Sequence, residues 1–104
     1  MKELDQYTYG NSDAAIALTK ILNEHPHCIK TVSRTWGDYT LGMRHIEKIE
    51  SPIKYTIMTL WRDRYICIIK DSKRFPDKVR SYFANIVTAR FRIAMKEHSK
   101  GYGR

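Results

Sequence analysis

Apolar residues recur along this chain with two different periods. Ala14, Ala17, Leu18, Ile21 and Leu22 fall three or four apart, with Lys20, Asn23 and Glu24 between them, which predicts a helix with one buried face. Asn11-Ser12-Asp13 supplies N-cap oxygens for its first turn, and Pro26 disfavours helical geometry at His25, where the helix should end. Residues 1–10 are polar and aromatic and read as a lead-in arm.

The middle of the chain changes character. Cys28 to Trp36 and Tyr39 to Ile46 are rich in Thr, Val and Ile, and Gly37-Asp38 between them suits a two-residue hairpin turn. That turn would set Trp36 opposite Tyr39, Arg34 opposite Leu41 and Val32 opposite Met43. Ile53 to Trp61 and Tyr65 to Ile69 read as two further strands, with Arg62-Asp63-Arg64 as the turn. Four strands joined by short loops predict an antiparallel meander.

From Pro76 to about Ser99 nothing breaks a helix, and Gly101 supplies a stop. Val79, Tyr82, Phe83, Ile86, Val87, Ala89, Ile93 and Ala94 form one apolar arc at 100° per residue. Lys78, Ser81, Asn85, Thr88, Arg92 and Lys96 form the opposite stripe. The expected fold is therefore α+β: an N-terminal helix, a four-stranded antiparallel meander and a long C-terminal amphipathic helix packed on the sheet. Residues 1–104 form one domain, with 1–10 as the arm and 100–104 as a flexible tail. Leu18, Leu22, Phe83 and Ile86, with Ile16, Ile21, Ile57 and Ile68, are the expected core.

Charge sharpens this picture. Residues 1–52 hold six Lys/Arg against seven Asp/Glu, while residues 53–104 hold thirteen against four, so the formal net charge of +8 lies wholly in the second half. Such a directional field points to an acidic partner, nucleic acid first. Between Lys78 and Lys96 the last helix carries no acid, although a solvated helix gains from mixed signs. The expected function is non-enzymatic binding of nucleic acid, RNA or DNA, through the phosphate backbone. Arg62, Arg64, Lys70, Lys73, Arg74, Lys78, Arg92 and Lys96 are its contact residues, with Lys100 beside them. An accessory or inhibitor protein docking on an acidic protein surface would use the same cations.

Other chemistry has less support. Trp36, Tyr39, Tyr55, Trp61 and Tyr65 alternate with arginines, but a sheet beneath a helix must bury many of these rings. Arg90 falls inside the apolar arc and should snorkel or pair with Glu47 or Glu50. His25-Pro26-His27-Cys28 is dense in metal donors without zinc-ligand spacing, and no cofactor or metal is expected. A sheet-based ribonuclease would draw on Arg34, His45, Tyr55, Arg62 and Arg64. The element order, with Lys73-Arg74 before the last helix, resembles the double-stranded RNA-binding domain, but that family's Gly-Pro-x-His loop is absent and no family is identified. Cys28 and Cys67 are expected as two buried free thiols. Without a signal peptide or a 20-residue apolar span, the chain should be cytoplasmic and should not enter a membrane.

Overall fold

The runs expected as strands are helices. This computed structural model describes residues 4–102, and the side chains of residues 4–98. Among the described residues there are four α-helices and no strand: α1 (Asp13–Asn23), α2 (Ile29–Glu47), α3 (Ile53–Asp71) and α4 (Asp77–Tyr102). A 3₁₀ turn, Pro26–Cys28, joins α1 to α2. The α+β fold with its four-stranded meander is thus corrected to a helical bundle, and the resemblance to the double-stranded RNA-binding domain falls with it.

The physical reason lies in spacing. Val32, Trp36, Tyr39, Met43 and Ile46 are separated by four, three, four and three residues, and so share one face of a helix. Val32, Tyr39, Met43 and Ile46 are buried there and Trp36 is half-buried. In α3 the inward face is Lys54, Met58, Trp61, Tyr65 and Ile69. Each Thr or β-branched residue costs a helix at most about 0.7 kcal/mol against Ala, and Gly37 about 1 kcal/mol. Burying one large apolar side chain returns about 1.5–3 kcal/mol. Packing outweighs propensity.

At the ends the expected signals operate. The Ser12 hydroxyl accepts the Ala15 N–H at 3.2 Å, and α1 stops before Pro26. The helix expected from Pro76 starts at Asp77 and continues through Gly101, past the expected stop. The Lys100 side chain and residues 103–104 of the expected tail lie outside the described set. The N-terminal arm is not free where it is described. Leu4 N–H donates to Asn23 Oδ1 at 2.9 Å, and the buried Tyr9 shares a 2.7 Å hydrogen bond with Ser33.

Helix α4 packs against α1, α2 and α3. Leu18, Leu22, Phe83 and Ile86 are buried as expected, whereas Ile16, Ile21 and Ile57 are half-buried. Ile68 and Ile93 are 46% and 57% exposed, because the helical period turns both outward. Cys28 is buried but Cys67 is exposed on α3, so only one of the two free thiols is where it was expected. The molecule measures 48 × 25 × 18 Å. No helix among the described residues is long and apolar enough to cross a membrane.

An aromatic cluster locks α2, α3 and α4 together. The Trp61 indole lies over Gly42 and donates to the Tyr39 carbonyl at 2.9 Å. Its ring meets Tyr65 edge-on at 4.9 Å, and Tyr65 meets Tyr39 at 5.3 Å. The fully buried Tyr39 hydroxyl donates to Val87 O of α4 at 3.0 Å.

Two glycines in one helix should respond in opposite ways to alanine. A Cβ on Gly42 would sit 2.3 Å from Trp61 Cζ2, whereas one on Gly37 meets nothing within 4 Å. Urea unfolding should show Gly42→Ala losing about 1–3 kcal/mol and Gly37→Ala gaining about 0.5–1 kcal/mol. A gain for both would mean Trp61 is not seated on α2.

Burial also raises the Tyr39 pKa above its ordinary value of 10.0, opposed in part by Arg90 and Arg62. Because the folded value lies above the unfolded one, this stabilisation is present below about pH 10 and is lost as pH rises further. Tyr9 and Tyr65 are raised by burial in the same sense. Stability should therefore fall above pH 10, with Tyr39 contributing up to about 1.4 kcal/mol per pH unit. Tyr39→Phe should flatten that fall in urea midpoints measured at rising pH, while lowering neutral-pH stability by about 0.5–1.5 kcal/mol.

Candidate nucleic-acid interface

The expected basic residues divide into three groups. Lys78, Arg92 and Lys96 lie in line on the outer face of α4, all exposed, with exposed Ser81 and Asn85 between them. At 1.5 Å per residue the line from Lys78 to Lys96 is about 27 Å long. No acid occurs within it.

Lys70, Lys73 and Arg74 cluster at one end of that line. Lys70 lies in the last turn of α3, beside the exposed terminal Asp71, and Lys73 and Arg74 occupy the short connection to α4; all three cations are exposed. Cys28 Sγ lies 3.9 Å from Arg74 O, which sets this connection beside the turn between α1 and α2. Exposed His27 and Lys30 therefore join the same end of the molecule. They come from the half of the chain without net positive charge, and only the fold brings them in. Asp77 in the same region is held by Arg80, whose other nitrogen donates to Ser72 O.

Arg62 and Arg64 do not extend the line. Arg62 stacks its guanidinium 4.3 Å over the Phe91 ring of α4 and pairs with Asp63 at 2.8 Å. Its role is to join α3 to α4. Arg64 lies two residues on, about 160° around α3 from Arg62, and so faces away from α4. Neither residue ends a sheet strand, and the turn expected at Arg62-Asp63-Arg64 is helix interior.

Arg90 follows its pairing expectation. Its Nη2 donates to Glu47 Oε1 at 2.5 Å, with both side chains about four-fifths buried. Glu47 Oε2 faces His98 Nε2 at 3.5 Å, and His98 Nδ1 takes a 3.0 Å hydrogen bond from the buried Lys54 ammonium. An ammonium only donates, so Nδ1 accepts and the imidazole proton sits on Nε2, toward Glu47. Glu47 of α2 thus meets Arg90 directly and Lys54 through the His98 ring, which ties α2, α3 and α4 together.

The residues of the ribonuclease alternative are not brought together. Arg34 and His45 are exposed on α2, about 16 Å apart along the axis. The Tyr55 hydroxyl donates to His98 O at 3.2 Å, and Arg62 is committed to Phe91. Among the described residues no three His, Cys, Asp or Glu side chains converge as metal ligands. Comparison of the chain with protein-family models, curated proteins and solved structures finds no match.

Removing the shared anion tests the Arg90 cluster. Glu47→Gln should cost about 1–3 kcal/mol in denaturant unfolding, because Arg90 loses its charged partner while staying largely buried. A loss below about 0.5 kcal/mol would place the Arg90 charge in solvent instead.

Proposed function

We propose that this protein binds nucleic acid without catalysis, gripping the phosphate backbone along the outer face of α4 and the basic end beside it. The observation that supports this is the line Lys78, Arg92 and Lys96, about 27 Å of exposed helix without one carboxylate. Each neutralised phosphate releases condensed counterions, so several cations on one connected surface gain together. Lys70, Lys73 and Arg74 continue that surface, and Arg62 acts indirectly by holding α3 against α4. Phosphate contacts position a protein without reading bases, so sequence preference is slight.

A second reading, docking on an acidic protein, draws on one specific observation. Ile53 and Leu60, with 57% and 63% exposure, lie within about 20° of each other on the side of α3 turned from the core, and exposed Ile68 stands at its flank. Exposed apolar anchors suit a folded partner more than a polyanion.

Salt dependence separates the two. Four to six phosphate contacts give a slope of log K against log salt of about −4 to −5 for a duplex and about −3 to −4 for a single strand. Replacing Lys73, Arg74, Lys78 and Arg92 with Gln should flatten that slope and weaken binding without unfolding the domain, since all four are exposed. No binding at about 50 mM salt, or binding unchanged in the quadruple variant, would overturn the nucleic-acid reading.

A further inference from the structure

A pocket of about 310 Å³ lies where the N-terminal segment crosses the cleft between α2 and α4. Residues 8–12 form one wall, Trp36, Thr40 and Arg44 of α2 a second, and Ala89, Arg90 and Ile93 of α4 a third. Trp36, Thr40 and Arg44 are spaced by four and so share one helix face. The first wall is held in place: Tyr9 bonds Ser33, Gly10 takes a φ of 119° that other residues avoid, and Ser12 caps α1. The volume is at the small end of the range for ligand sites.

The chemistry of the lining is one-sided. Arg44 and Arg90 line the pocket, and no carboxylate does among the described residues. Glu47 occupies Nη2 of Arg90, but Nη1 is out of solvent and has no hydrogen-bond partner. Closed to solvent, that nitrogen is beyond a ligand's contact; its charge acts on the pocket through space, and the exposed Arg44 is the guanidinium able to hold an anion directly. The Trp36 ring, packed against Tyr39 at 5.8 Å, adds an aromatic surface to the same space. These features call for a ligand with an anionic group and a planar ring.

Helical register sets this pocket beside the basic line. Ala89 and Ile93 stand about 60° around α4 from Arg92 and Lys96. A strand laid along the line therefore passes the pocket mouth. We propose that the pocket holds one unpaired nucleotide, its base against Trp36 and its phosphate on Arg44, with the charge of Arg90 behind it. Choosing a nucleotide over other aromatic anions rests on the nucleic-acid reading above; the call for an aromatic anion does not. Base stacking on aromatic rings and charge-assisted contacts to phosphate are the two terms that such sites combine.

The test is a titration followed by NMR at the Trp36 indole N–H. Adenosine monophosphate should shift it saturably and bind at least about tenfold tighter than adenosine or inorganic phosphate alone. Arg44→Gln, at an exposed position, should weaken binding about tenfold, and Ala89→Phe should block it, both with unchanged circular dichroism. No saturable shift, or one unaltered by Arg44→Gln, overturns the pocket. Indole-3-acetate binding as tightly as the nucleotide overturns the choice of nucleotide. A single strand that binds Ala89→Phe at full affinity, yet loses affinity in the quadruple Gln variant, removes the pocket and leaves the backbone reading standing. Nucleotide binding with no strand affinity at low salt keeps the pocket and removes that reading.

Discussion

A phenol hydroxyl buried between three helices has to find an acceptor, and Tyr39 finds it in the Val87 carbonyl of α4. The constraint propagates from there. Tyr39 can reach α4 only if α2 lies close, and the carbonyl of Tyr39 in turn receives the indole N–H of Trp61 from α3. That approach needs Gly42, since a methyl group at that position would overlap the indole. Trp36 and Tyr65 fill the sides of the cluster. Three helices are thus held by one set of rings, and Arg62 over Phe91 and Arg90 on Glu47 lie on the same contacts. The outer face of α4 carries the cations while its inner face packs against α1, α2 and α3.

The outer elements were legible because their ends carry local chemistry. Ser12 caps α1, Pro26 ends it, and Pro76 precedes a run with one helical apolar arc. The middle was not, for a geometric reason. A hairpin about Gly37-Asp38 pairs Trp36 with Tyr39 and Val32 with Met43. Separations of three and eleven residues are also close to whole turns of an α-helix, so both folds set these residues on one face, although Val32 and Met43 stand about 16 Å apart along α2. What distinguishes them is Arg34, which alternation places on the face of Val32 and Trp36 but which is exposed on α2. The high content of Thr, Val and Ile favoured strands, a preference worth less than the burial that opposed it.

The candidate site divides along the same line. Lys78, Arg92 and Lys96 could be aligned from the sequence because one helix sets their register. Arg62 was misplaced because its partner ring, Phe91, meets it only once α3 packs on α4. Arg64 was misplaced with the turn that does not exist. The pocket was invisible, since its walls come from three segments with no sequence signature of their own. Arg44, Trp36 and Arg90 acquire a common meaning only in the folded chain.

The central claim is that phosphates run along the outer face of α4, beside the pocket. Backbone-amide chemical shifts recorded while a short single-stranded oligonucleotide is added test this residue by residue. The account predicts the largest changes at Lys78, Asn85, Arg92 and Lys96, with the Trp36 indole moving in parallel and all of them reversing as salt is raised. Changes centred on Ile53, Leu60 and Ile68 of α3, or no salt-sensitive change on α4, would contradict it.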